Sequence, residues 1–227
     1  MNFLTPFIDF FLPRFCPACK NKLSIGEEIV CGSCLSKIKR PDEQSLKHEF
    51  ERKFSSDKII SGFTSLFVFE KEKELQHIIH GLKYDGKFQI GMFLGRLIAN
   101  ELGRQFDEWK IDFIIPVPLH HLRRAERGYN QSEFIAKGIR SVLRIPINTN
   151  SIKRKRFTET QTSLNLVERK ENLKDSFSIK QKNNLKGKTI LLLDDVITTG
   201  ATISECGRIL LDKDTANIYA ASVAIAD

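Results

Sequence analysis

Residues 188–195, KTILLLDD, run four aliphatic side chains together and end on two adjacent carboxylates. An aliphatic run without polar alternation is a strand buried on both faces, and such strands belong to parallel sheets covered by helices on either side. Ligands of these sheets sit outside the carboxyl ends of the strands, which puts Asp194 and Asp195 at a candidate site. Thr198, Thr199, Gly200, Ala201 and Thr202 follow as a tight turn into a helix. Backbone N–H groups, hydroxyls and the positive end of the helix dipole together make a cradle for phosphate. The acids cannot favour that same phosphate, so they suit neutral hydroxyls or a divalent cation beside it. A sugar phosphate satisfies both halves. The plainer alternative is an acidic strand end before an N-capped helix, where Asp and Thr are common.

The rest of the chain repeats the alternation that this strand demands. SGFTSLFVFE, residues 61–70, reads as a strand. Leu75, Ile78, Ile79 and Leu82 fall at helical spacing, and a second helix is expected over 88–106. DFIIPVP, residues 112–118, is a buried strand that the prolines turn into a loop. Helices are expected near 132–143, 165–173 and 201–211, with a long basic segment after the first and a final strand in NIYAASVAIA. The fold class is therefore α/β, a mainly parallel sheet with helices on both faces. The main domain spans 61–227, a polar, charged linker with some helix covers 41–60, and a small module occupies 1–40.

That module carries Cys16, Cys19, Cys31 and Cys34 as two C-x-x-C pairs. Each pair can form a knuckle whose thiolates point at one ion, and the short connection can bring the knuckles together around zinc. Two disulfides are the alternative, disfavoured by the lack of an export signal in MNFLTPFIDFFLPRFC. An all-cysteine ligand set makes a closed, structural zinc site without catalysis. The first residues suit a short amphipathic helix with Phe3, Phe7, Phe10 and Phe11 on one face. Cys206 reads as a small buried hydrophobe.

No apolar run is long enough to span a membrane, so a soluble, cytoplasmic protein is expected. The formal net charge of +8 favours an anionic partner, without separating phosphate ligands from nucleic acid. His77 and His80 have no acid or cysteine partner in the pattern and read as exposed or core-edge residues. His120 and His121 lie closer to the expected chemistry without an assigned role.

LLLDDVITTGAT resembles the PRPP-binding signature of type I phosphoribosyltransferases. The cysteine module, LKYDGK, IIPVPLHHLRRAERGYNQ, RFTETQTSLNLVERKEN and that signature occur in the order seen in the ComF family, linked to DNA uptake in natural transformation. The resemblance covers almost the whole chain. It implies a type I phosphoribosyltransferase-like domain behind a zinc finger, with PRPP and magnesium bound at the strand ends. Asp194 and Asp195 then contact the ribose hydroxyls, and 198–202 hold the 5-phosphate. Pro116, Val117, Pro118 and Leu119 correspond to the pyrophosphate loop, with Arg123, Arg124 and above all Arg127 as anion-binding neighbours. Arg127 and Asp195 are the candidates for catalysis. Thr160, Gln161 and Arg169 fall in a loop expected to close over PRPP. Lys83 and Tyr84 match a family motif, and Lys83 could reach either pyrophosphate or a DNA backbone. Lys153 to Arg156 could join the closing loop, contact nucleic acid or be simply solvated.

Two functions fit. One is phosphoribosyl transfer from magnesium-bound PRPP to an acceptor that no motif identifies. The other is a non-catalytic single-stranded DNA-binding factor acting with a helicase-like partner, with Tyr84, Tyr129 and Phe157 available for stacking among basic residues.

Overall fold

The computed structural model describes residues 13–155, 175–180, 185–212 and 214–226. The helices expected at the N-terminal phenylalanines and at 165–173 lie outside these residues. Four strands form the parallel sheet: β1 (Gly62–Val68), β2 (Phe113–Pro116), β5 (Thr189–Ile197) and β6 (Asn217–Ile225). Their order is β1-β6-β5-β2, so the strand carrying the two acids is an inner one. Ile190 to Leu193 are wholly buried, as their unbroken aliphatic character requires.

The period of two sorts these side chains onto opposite faces. Leu191 and Leu193 join one cluster with α3 (Glu74–Tyr84), α4 (Phe88–Glu108) and α6 (Gln131–Leu143). Ile190 and Leu192 join another with Phe54 of α2 (Glu43–Phe54) and Ile203 and Leu210 of α7 (Ala201–Leu211). The segment expected as a linker thus contributes a helix to the domain. Asp42 caps α2 by accepting from the Ser45 N–H at 2.7 Å, and Phe50, Phe54 and Phe63 stack in series onto β1. Within the long basic segment, β3 (Ile152–Arg154) and β4 (Phe177–Ile179) form an antiparallel pair that buries Ile152 and Phe177 beside α7. The cysteine module ends in α1 (Gly32–Lys37), and α5 (His121–Arg127) follows the end of β2.

Helices α4 and α6 pack closely because small residues line their contact. A methyl group on Gly95 would stand 2.0 Å from the Ile135 carbonyl oxygen, and one on Gly138 2.3 Å from that of Met92. Two backbones in contact leave no side chain to yield. By contrast, a methyl on Gly103 would meet only the tip of Leu143, at 3.1 Å. Gly138→Ala is expected to destabilise the fold by about 3 kcal/mol, at the upper end of overpacking costs, and Gly103→Ala by well under half of that. Urea midpoints of the two variants against the parent chain check this ordering.

Candidate functional site

Asp194 and Asp195 are the sixth and seventh of the nine residues of β5, just beyond Leu193, where its pairing with β2 ends. Their environments differ. The Ser132 hydroxyl donates to Asp194 Oδ1 at 3.0 Å, and the Asp195 N–H donates to the same oxygen at 2.9 Å. Burial, then the neighbouring Asp195 charge, push the Asp194 carboxyl up to about 7. Asp195 instead faces a cation, with Lys83 Nζ 3.0 Å from its Oδ2, while the Val196 N–H donates to its other oxygen at 2.7 Å. Lys83 therefore reaches a strand-end carboxylate. Its partner lies on a different element, and nothing in LKYDGK announces it.

Beyond the acids the chain turns through Thr198 and Thr199 into α7. Gly200 caps the helix with φ of +76°, in the left-handed region, and a Cβ there would lie 2.7 Å from the Phe54 ring. Thr199 Oγ1 accepts from the Ala201 N–H at 3.3 Å. Asp194 and residues 196–203 line one shallow concavity, so an acid and the whole expected phosphate loop share a surface.

The turn after β2 is hydrogen-bonded to β5 just before the acids. The Val117 N–H donates to the Leu193 carbonyl at 2.9 Å, and Asn130 Nδ2 donates to the Val117 carbonyl at the same length. Asn130 also caps α6 by accepting from the Ser132 N–H, which ties this turn to the residue touching Asp194. Pro118 and Leu119 are half-buried beside it. His120 is 4% exposed and caps α5, and burial and His121 lower its pKa, favouring the neutral ring. Arg123 is half-buried on α5, and Arg124 turns to Glu133 at 3.5 Å. Arg127 stands over the exposed Tyr84 ring at 5.3 Å and donates to Gln131 Oε1 at 3.2 Å. Among the described residues, its buried Nε and the Gln131 Nε2 have no hydrogen-bond partner. Two donors left over at a strand-end wall suit an anion or a carbonyl-bearing ligand. His77 and His80 are exposed, and His80 stacks on Tyr84. Thr160, Gln161 and Arg169 lie outside the described residues.

The four cysteines converge apart from this site. All four Sγ atoms lie within 4.8 Å of one another, and Cys19 and Cys31 are 3.7 Å apart. A tetrahedral ion with Zn–S bonds of about 2.3 Å needs sulfurs about 3.8 Å apart, so the donor set and its spacing fit zinc. The thiols point at a common centre, and all are free rather than joined as disulfides. Cys16, Cys34 and neighbouring Leu23, Val30 and Ile38 share the core of α3 and α4.

Comparison with known proteins matches residues 90–226 to the family described as phosphoribosyl transferase domain. Competence protein F of Haemophilus influenzae (strain ATCC 51907 / DSM 11121 / KW20 / Rd) is 31% identical over 89% of this chain and 93% of its own length. DNA utilization protein YhgH of Escherichia coli (strain K12) is 27% identical over 91% and 95%. Competence protein ComFC of Bacillus subtilis (strain 168) is 26% identical over 89% and 74%. These matches cover about nine-tenths of the chain, more than the domain match alone.

The raised Asp194 pKa has a signed consequence. The folded chain keeps this proton to about 7, whereas an unfolded chain releases it near the ordinary 3.8. Between those values the folded state binds more protons, so its stability falls as pH rises through that window. Asp194→Asn removes the titration and is expected to flatten the decline. Urea midpoints of both proteins between pH 4 and pH 8 measure it, and parallel curves would refute the assignment.

Proposed function

The chain belongs to the phosphoribosyl transferase family, alongside the competence and DNA-utilization proteins of the ComF group, and on that premise we propose that its strand-end pocket binds magnesium-bound PRPP. The observation that carries this reading is one surface on which a carboxylate of the acid pair adjoins the Thr198–Thr202 turn. The ribose hydroxyls donate to Asp194 and Asp195, exchanging the ion pair of Lys83 for neutral donors. The 5-phosphate lies in the 198–202 turn, against the N-terminus of α7. The pyrophosphate lies along Val117–Leu119, where Arg123 and the unsatisfied Nε of Arg127 meet its oxygens. Transfer breaks the C1–O bond, pyrophosphate leaves with the electron pair, and an acceptor nucleophile bonds to C1. The carboxylates act by holding the ribose and stabilising its developing positive charge. The cellular role is DNA uptake or use in transformation.

Calorimetric titration with magnesium-bound PRPP tests the site. Saturable binding by the parent chain should fall about a hundredfold or more in the Asp194→Asn, Asp195→Asn double variant, since both ribose contacts are lost. A parent chain that shows no saturable heat sinks the reading. Pyrophosphate release in acceptor screens then asks for turnover.

A second reading rests on the exposed Tyr84 and Phe88 rings beside Lys87 and Arg127. Such rings among cations suit stacking of single-stranded DNA bases. Binding that weakens steeply with salt and survives loss of both acids favours this role, with or without PRPP.

We further propose that Cys16, Cys19, Cys31 and Cys34 hold one structural zinc ion. When bound, it crosslinks the two knuckles and supplies no reaction chemistry. The parent chain should contain one zinc per molecule, and chelation should lower its melting temperature and expose residues 13–40 to protease first. Unchanged melting in a demonstrably metal-free protein counts against the assignment.

A further inference from the structure

The phosphate turn is held from behind by a lysine of α2. Lys53 has a 3% exposed side chain, yet it is a long cation whose burial must be compensated. Its Nζ donates to the Thr198 carbonyl and to the Ala226 carbonyl, the latter at 2.9 Å, and lies 2.9 Å from Glu49 Oε2. Glu49 is also held by Arg52 at 2.7 Å. Burial opposes its ionisation, but these two cations outweigh it and lower its pKa. The stem of Lys53 and the ring of Phe54 fill the space behind Gly200, where a Cβ would stand 3.1 Å and 2.7 Å from them.

We propose that Lys53 is a positioning residue for the 5-phosphate turn, fixing its peptide orientation and adding positive potential beneath it; this rests on the PRPP reading of the site. In a planar trans peptide the carbonyl and the following N–H point to opposite sides. Anchoring the Thr198 carbonyl on α2 therefore turns the Thr199 N–H away from α2. The same ammonium ties Thr198 to Ala226, whose N–H in turn donates to the Ile197 carbonyl at 2.9 Å. The turn is thus held at its entry, at Ile197 and Thr198, before any phosphate arrives, and a preformed cradle spends less binding energy on ordering itself. The cation partly balances a dianionic phosphate across one layer of backbone, where screening by water is weak. Lys53 touches the backbone that binds, so its role is indirect.

The test compares ligands that share the pocket but differ in the group they present. Zinc-loaded parent chain and Lys53→Met are titrated with magnesium-bound PRPP, ribose 5-phosphate and pyrophosphate, after thermal melts establish that both are folded. The methionine keeps the apolar stem and removes the ammonium. Ribose 5-phosphate and PRPP should bind about tenfold more weakly, and pyrophosphate with unchanged affinity. Lys53→Gln, which keeps a donor in the same space, carries the same comparison should the methionine variant not fold. Equal losses for all three ligands, or none, in a folded variant overturn the proposal and leave the PRPP site standing. A parent chain that binds none of the three overturns both.

Discussion

A strand buried on both faces can offer chemistry only where it leaves the sheet. Ile190 to Leu193 are sealed between two helical layers, so the first polar side chains that β5 can present toward its C-terminal end are Asp194 and Asp195. Everything else at the site is arranged around this constraint. The α7 N-terminus arrives because β5 must turn back over the sheet through Gly200, and the Val117 turn arrives because β2 runs parallel beside β5. Helix α6 begins between them, and its first turn brings Ser132 to Asp194. The backbone contact of Gly95 and Gly138 locks α6 onto α4 and so sets where that first turn sits.

Two adjacent carboxylates at a low-dielectric edge cannot be equivalent. Asp195 pairs with Lys83, while burial and then the neighbouring Asp195 charge favour a proton on Asp194. Asp194, held up to about 7, can therefore donate or accept near neutral pH, which suits a diol better than a phosphate. In the proposed complex the tasks separate along the chain for a physical reason: acids would face the sugar, and backbone amides, threonine hydroxyls and the α7 dipole would face the anion.

The parallel sheet, the acid pair, the glycine turn and the cysteine cluster were legible because each is a local pattern. Aliphatic continuity reports double burial, and paired C-x-x-C spacing reports convergent sulfurs. Helix α2 is only partly legible: its apolar face is Leu46, Phe50 and Phe54 in an otherwise charged stretch, a weak periodic signal. Helix α5 gives none, since it buries no side chain, and β3 and β4 have three residues each, too few to display a period. The contacts that complete the site were illegible for another reason. Lys53 meets Thr198 across 145 residues, and Ser132 meets Asp194 across 62, and pairings at such separations exist only once the sheet has formed. Nothing about a lysine in a charged helix distinguishes one that will be buried from one that will be solvated.

Those long-range partners have a common origin that bears on how a shared core acquires a distinct task. The family match begins at residue 90, yet Lys83 reaches Asp195 from α3 and Lys53 reaches Thr198 from α2, both ahead of it. Helices α3 and α4 are in turn contacted by the cysteine module: Pro17 packs near Gly81 of α3, while Glu28 pairs with Arg96 and Arg40 with Glu101 on α4. A core that recognises a sugar phosphate by strand ends alone is compatible with many reactions. Here the ammonium groups that meet Asp195 and the Thr198 carbonyl come from the preceding segments. Helices α2 and α3 therefore contribute contacts to the site, and a change in either reaches the pocket through one ammonium, without passing through the sheet.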